Sequence, residues 1–319
     1  MNNRLVIVGF SNEYDLMDIV MLSERYSVLH IKIPSVMKSL LLMLKFHSEK
    51  MSTLIIEIWL KNKVRFEDGD VVVFDDSFIS IDFLYSKIKS KNEGCAKTRN
   101  ILLLRNIIKS NEKMHSIIRS KSDIEVFSFD PGDCEKFNLR KYEQYCSGFK
   151  YLKDNRGVIE SKYCLYFIGL DKGRSIYLNR ILEHTHSYSS KIHLVFKPKS
   201  LYEKVLKFLG SKKFNYLSYK SHLDNVLESD VVIDLVQDGQ SGLTMRSLEA
   251  LISGKKIITN NKLIIDEIFY NENQILIIDD FESLDSREIF DFIESSVEVG
   301  FNTTNDFSVI SVYKYILES

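Results

Sequence analysis

Three prolines in 319 residues leave no proline-rich linker anywhere in this chain. Cysteine is nearly as scarce. The four, Cys95, Cys134, Cys146 and Cys164, form no C-x-x-C pair and no Cys/His metal spacing. That excludes a disulfide framework and points to a reducing cytoplasm. No run of about 18 uncharged apolar residues occurs, so nothing in the sequence reads as a membrane span. The opening MNNRLVIVGF has too short an apolar core for a signal peptide. Charge of one sign is missing too: 43 Lys and Arg stand against 44 Asp and Glu, which removes any whole-chain argument for nucleic-acid binding. The first β-α-β stretch carries one glycine, Gly9, where a dinucleotide fingerprint needs three, so an NAD or FAD cofactor is not expected. No D-x-D motif stands on a suitable loop, Asp75-Asp76 being only a pair, and the seven histidines form no metal set; no obligatory metal is expected.

What is present is the composition of a soluble globular protein, 45% apolar and 27% charged, long enough for two domains. Short β-branched runs alternate with helical patterns: strands at Arg4–Phe10, Val28–Ile33, Asp70–Phe74, Asn100–Leu104 and Ile124–Phe129, with a helix over Ser11–Arg25. A second series comes at Tyr163–Ile168, Ile192–Phe196, Phe214–Ser218, Asp230–Val236, Lys255–Thr259 and Gln274–Ile278, and Asp306–Leu317 reads as a terminal helix crossing back onto the first lobe. The polar stretch GFKYLKDNRGVIESK marks the boundary, giving lobes 1–155 and 156–319. The fold class expected is α/β, two Rossmann-like lobes with a cleft between them and a C-terminal helix.

Ser35–Phe66 stands apart. SVMKSLLLMLKF and IIEIWLKNKVRF are apolar runs interleaved with Lys38, Lys45, Lys50, Lys61 and Lys63. One reading is a pair of core helices with solvated lysines; the other is a basic amphipathic surface lying on an anionic bilayer.

The most informative stretch is Ser229–Asn261, SDVVIDLVQDGQSGLTMRSLEALISGKKIITNN. It reads as a buried parallel strand, a polar loop, and a helix at Met245–Ile252 stopped by Gly254. The free N–H groups of that helix would face the carboxyl edge of the sheet, where open α/β sheets bind ligands and where an anion is welcome. Arg246 opposes the helix dipole in the first turn, so a purely structural role explains it poorly. Glu249, three residues on, shares its face, and the two read as facing one negatively charged, hydroxyl-bearing ligand. In FIGLDKGR, Gly169 and Gly173 allow a close backbone approach, and Lys172 and Arg174 put charge at the start of a helix. Lys197 is a further base at a strand end.

GQSGLTMRSLEALISGKKIITNN resembles the matching segment of bacterial lipopolysaccharide and capsule biosynthesis proteins, glycosyltransferases of the GT-B architecture. FIGLDKGR and SFDPGDCEKFNL resemble the same family, so the likeness runs in scattered motifs over about residues 70–265. The resemblance implies that Gly169, Lys172, Arg174, Lys197, Gln240, Ser241, Gly242, Thr244, Arg246 and Glu249 hold a nucleotide-sugar donor. Glu249 matches the ribose-binding glutamate of the retaining branch. That branch has a second glutamate eight residues earlier, where this chain has Ser241, and its glycine-to-glutamate spacing differs by two. Retaining stereochemistry is therefore not carried over. An inverting reaction would need a general base in the first lobe, for which Asp15, Asp76 and Asp130 are candidates near strand ends. The activity implied is sugar transfer to a lipopolysaccharide, O-antigen or capsule acceptor, lipid-linked glycans included, by a cytoplasmic enzyme peripheral to the membrane. Rival readings are a non-catalytic two-lobed binding protein, disfavoured by the absent signal peptide and the Arg–Glu loop, and a nucleotide-sugar oxidoreductase, disfavoured by the single glycine.

Overall fold

β-Branched runs flanked by helical segments have one economical solution, a parallel sheet with helices on its faces, and the chain adopts it twice. The computed structural model describes residues 4–63, 65–90, 97–108, 111–120, 124–196, 217–237, 239–296 and 307–319. Two units emerge, one of Met1–Glu143 with Tyr313–Ser319, the other of Gln144–Val312.

In the first unit the strands are β1 (Leu5–Val8), β2 (Val28–Ile31), β3 (Val71–Asp75), β4 (Arg99–Leu104), β5 (Glu125–Ser128) and β6 (Arg140–Lys141). They form one parallel sheet in the order β2-β1-β3-β4-β5-β6. Register is set by β1, whose Leu5 and Val8 lie opposite Val71 and Phe74 of β3. All four β1 side chains are buried, as a central strand covered on both faces requires. Helices α1 (Glu13–Ser23), α2 (Ser35–His47), α3 (Glu49–Lys63), α4 (Phe78–Ser90), α5 (Glu112–Arg119) and α6 (Pro131–Phe137) supply the covering layers. Within Ser35–Phe66, Ser35–His47 and Glu49–Lys63 thus form a pair of helices, with Leu41, Ile56 and Leu60 in the core.

The second unit holds α7 (Phe149–Asn155), β7 (Tyr163–Leu170), α8 (Arg174–His184), β8 (Ser190–Val195), α9 (Tyr219–Leu227), β9 (Ser229–Asp234), α10 (Met245–Ile252), β10 (Lys256–Thr259), β11 (Ile275–Ile277) and α11 (Ser286–Glu294). Its described strands form a parallel sheet in the order β11-β10-β9-β7-β8. In both sheets the first strand sits between the second and third. Strand order therefore reverses there, which makes the carboxyl ends of β1/β3 and β7/β9 topological switch points. The core of the second unit packs Leu165 and Phe167 against Val231, Ile233 and Ile258.

One expectation needs correction. The boundary falls at Glu143/Gln144, ahead of the polar stretch, because residues 144–155 are tied into the second unit: Gln144 Nε2 donates to Leu243 O at 3.3 Å and Gly148 N to the Tyr219 hydroxyl at 3.1 Å. Those contacts bridge long sequence separations and leave no local mark. The strand expected at Phe214–Ser218 falls mostly outside the described residues; Ser218 itself caps α9, accepting from Ser221 N. The terminal helix α12 (Val309–Glu318) does return, its last turns belonging to the first unit, where Arg99 Nη1 donates to Leu317 O at 3.0 Å.

Gly9 closes β1 with φ +91°, and a Cβ there would lie 2.3 Å from the Asp75 carboxylate. Gly9→Ala is expected to cost about 1–3 kcal/mol, combining left-handed backbone strain with that overlap. Urea unfolding checks this, and an unchanged midpoint would show that the β1/β3 exit yields easily to the extra atom.

Candidate functional site

At the β7/β9 switch point the chain assembles two arginines around one buried carboxylate. Asp234, the last residue of β9, is fully buried. Its Oδ2 accepts from the Thr244 hydroxyl at 2.6 Å and the Ser247 hydroxyl at 2.5 Å, and its Oδ1 lies 3.0 Å from Arg246 Nη2. Thr244 is also the N-cap of α10, accepting from Ser247 N at 3.1 Å. The start of the helix is thereby fastened to the end of the strand. Arg246 Nη1 donates to Ile168 O at 2.6 Å, and Nη2 to Leu235 O at 3.4 Å, so the guanidinium lies across the ends of both strands.

Arg174 begins α8, on the loop leaving β7, and is only 7% exposed. Its Nη1 donates to Leu170 O at 3.1 Å, whereas its buried Nε has no hydrogen-bond partner among the described residues. Burial, reinforced by the positive charge of Arg246, pushes its pKa down to about 10. Gly169 makes the pairing possible: a Cβ at that position would stand 2.8 Å from Arg246 Nη1 and 3.5 Å from Arg174 Nη1. Lys172 and Gly173 both have positive φ, +43° and +87°, a double left-handed bend that turns the chain into α8. Lys172 Nζ donates to Gln237 Oε1 at 3.1 Å, linking the β7 loop to the β9 loop.

The polar loop before α10 is braced from inside. Gln240 Nε2 donates to Gly242 O at 3.4 Å, and Ser241 is half-buried. Val236 N donates to Asn260 Oδ1 at 2.7 Å, and Asn261 Nδ2 reaches Gly242 O at 3.5 Å. Lys197 lies outside the described residues.

Glu249 does not share a ligand-facing position with Arg246. It is 1% exposed, its Oε1 accepting from the Tyr219 hydroxyl at 2.8 Å and its Oε2 lying 2.6 Å from His222 Nε2. His222 Nδ1 lies 2.9 Å from the Tyr166 hydroxyl. The cause is geometric: Arg246 is long enough to leave α10 towards the strand ends, while Glu249, one turn on, points inwards to α9. Burial alone would raise its pKa, but His222, Tyr219 and Arg246 outweigh that and hold the carboxyl below its ordinary value.

The first-unit candidates gather around β1, β3 and β4, except one. Asp76 Oδ2 accepts from Arg105 N at 3.1 Å, Asn106 N at 2.9 Å and Asn106 Nδ2 at 3.0 Å, while its Oδ1 makes no hydrogen bond among the described residues. Burial raises its pKa. Asp15 is buried against Arg105 Nη1 at 2.5 Å and takes Asn12 N at 2.8 Å; burial raises its pKa, with Arg105 opposing. Asp130 is separate, a buried N-cap of α6 accepting from Asp133 N at 3.0 Å. Asp234, Asn260 and Asn261 are the residues that sequence reasoning passes over.

No protein family and no curated protein matches this chain. Solved structures do match its fold. HepE of Anabaena, in complex with UDP and glucose, is 12% identical with a TM-score of 0.55, each chain covered to 98%. The UDP-GlcNAc 2-epimerase of Methanocaldococcus jannaschii, in complex with UDP-GlcNAc and UDP, is 12% identical with a TM-score of 0.51, covering 99% of this chain and 100% of the other. TarM of S. aureus, in complex with UDP, fondaparinux and alpha-GlcNAc-glycerol, is 12% identical with a TM-score of 0.55 over 84% of this chain, which spans 58% of TarM. The architecture is therefore the two-lobed GT-B type, α/β throughout.

The depressed pKa of Glu249 sets a pH dependence. Its contribution to stability is present above the ordinary carboxyl value of 4.5 and lost as pH falls below it. Glu249→Gln is expected to cost about 1–3 kcal/mol at neutral pH, with the deficit shrinking at acidic pH. Urea unfolding of both proteins at neutral and at acidic pH measures it; a deficit that is constant with pH would contradict the buried His222–Glu249 pair.

Proposed function

We propose that this protein is a glycosyltransferase that takes a sugar from a nucleotide-activated donor and passes it to a hydroxyl of a cell-envelope glycan. The observation that carries the reading is the Arg174–Arg246 pair at the β7/β9 switch point. Two guanidiniums held close together repel, and Arg174 is desolvated with a single side-chain hydrogen bond among the described residues, to Leu170 O. Asp234 and Asp171 offset that cost only in part, and a diphosphate matches two planar donor forks. Lys172 stands on the same loop, and the N-terminus of α10 adds backbone N–H groups of the right polarity. The fold neighbours support the ligand class, since HepE, TarM and the 2-epimerase were each captured with UDP.

The chemistry is dictated by where charge develops. As the glycosidic bond breaks, the departing diphosphate gains negative charge, so the arginines stabilise the transition state more than the bound donor. The acceptor hydroxyl must lose its proton. Of the three carboxylates, Asp76 suits that task best: one oxygen is anchored by three donors, the other is open, and burial raises its pKa towards a useful base. Asp15 is committed to Arg105 and Asp130 to its helix cap. Glu249 we assign to positioning: it fastens α10 to α9 and so fixes where Arg246 projects. Loop residues Gln240, Ser241 and Gly242 would contact the donor through that braced backbone. The setting proposed is cytoplasmic.

Thermal-shift screening against UDP, GDP, CMP and dTDP tests the donor site. At least one diphosphate is expected to raise the melting temperature, and Arg174→Lys to weaken its binding about ten- to a hundredfold, the loss of one charge-assisted hydrogen bond. Gly169→Ala, which leaves every functional group in place but crowds both guanidiniums, is expected to weaken binding in the same direction. No shift with any nucleotide would remove the proposal. Asp76→Asn is expected to leave nucleotide affinity within about twofold while lowering transfer at least a hundredfold, the usual scale of a general base; equal transfer by this variant would rule out Asp76.

A further inference from the structure

Helices α2 and α3 each need one apolar face to cover the sheet, and each has two. Leu41, Ile56 and Leu60 face the core, joined there by Met37, Ile55 and Trp59. On the outer side α2 carries Val36, Leu40 and Met43, and α3 carries Met51, Leu54 and Ile58, all between 41% and 79% exposed. Spacings of three, four and seven residues put each trio on one helix face. Adjacent in sequence and packed side by side, the two helices present six large apolar side chains to solvent. Scattered exposed apolar residues are ordinary; two apolar stripes on neighbouring helices are a surface made for something.

Charge identifies the occupant. The whole chain is balanced, yet residues 35–66 hold six bases against two acids. Among these, Lys50, Lys63 and Arg65 are exposed, while the acid Glu49 is paired to Lys113 of α5 at 2.6 Å. Protein–protein interfaces are depleted in lysine at their centres, and two identical basic hairpins would repel each other. Exposed apolar side chains and a surplus of bases on one pair of helices are the combination that anionic lipid headgroups attract. The helices have 13 and 15 residues, short of the roughly 20 that span a bilayer. No helix among the described residues is long and apolar enough to cross a membrane.

We infer that the α2–α3 hairpin is a docking surface for an anionic lipid bilayer, lying in the headgroup region with Val36, Leu40, Met43, Met51, Leu54 and Ile58 inserted. The surface belongs to the first unit and uses none of the residues assigned to nucleotide or catalysis, so it stands or falls independently of the transferase reading. Joined to that reading, it adds that the acceptor is presented at a membrane, as a lipid-linked glycan is.

Co-sedimentation of the full chain with vesicles tests it, using equal parts phosphatidylglycerol and phosphatidylcholine beside pure phosphatidylcholine. Binding is expected only to the anionic vesicles and is expected to fall as salt rises. Combining Val36→Ser, Leu40→Gln and Met43→Gln should weaken partitioning at least ~tenfold without lowering the melting temperature. Lys50→Glu with Lys63→Glu should weaken it about fivefold or more per base. Nucleotide thermal shifts on the same preparations should match the parent, which separates failure of this surface from failure of the donor site. Absence of binding to anionic vesicles, equal binding to neutral ones, or a dimer in light scattering that the apolar triple variant dissolves would each overturn the inference.

Discussion

The second unit depends on a carboxylate that has no contact with water. Asp234 ends an apolar strand in the protein interior, where an unpaired charge costs several kcal/mol. Arg246, Thr244 and Ser247 all come from the first turn of the next helix to satisfy it. The penalty of exposing that charge to an apolar interior therefore becomes a constraint on where α10 starts. It also fixes the direction of Arg246, whose other hydrogen bonds go to the ends of β7 and β9. A structural ion pair thus leaves one guanidinium stationed at the edge where open parallel sheets take their ligands.

Arg174 is the complement to this arrangement, a cation whose local surroundings do not repay its burial. The charges of Asp234 and Asp171 offset part of that cost, while Arg246 adds repulsion. Gly169 completes the pair by leaving out the one atom that would keep the guanidiniums apart. On the far side of α10, His222 and Glu249 hold the helix from behind through a second buried pair, which Tyr219 and Tyr166 extend. Held at its first turn by Asp234 and at mid-helix by the contacts of Glu249 with Tyr219 and His222, the helix has little freedom to move Arg246. That stiffness suits a site whose donors must be in place before a leaving group develops charge.

Much of this is legible in the sequence, and the parts that are not share a cause. Strands such as VVVF and VVID are recognisable because β-branched runs between helical patterns have few other uses, and both β-α-β series derive from that. Arg246 stands out because a cation in the first turn of a helix works against the dipole, and Arg174 because it joins Lys172 and two glycines where another helix begins. Asp234 is easily missed inside its own strand, although a carboxylate closing an apolar run is the available signal. Glu249 misleads: three residues of helix place it near Arg246, but its partners Tyr219 and His222 arrive from a different helix, which no local pattern reveals. The left-handed bend at Lys172 is invisible for a similar reason, since a lysine carries no mark of positive φ. The unit boundary at Glu143/Gln144 rests on hydrogen bonds from Gln144 and Gly148 to residues far along the chain.

The central claim is that the arginine pair exists to receive a diphosphate. Isothermal titration of the intact protein with a nucleoside diphosphate, the matching monophosphate and the bare nucleoside measures this directly. If the pair is the binding determinant, the diphosphate binds at least ~tenfold more tightly than the monophosphate, since each charge-assisted hydrogen bond contributes on that scale, and the nucleoside binds weakest. Equal affinity for all three would place recognition on the base and sugar and contradict the account.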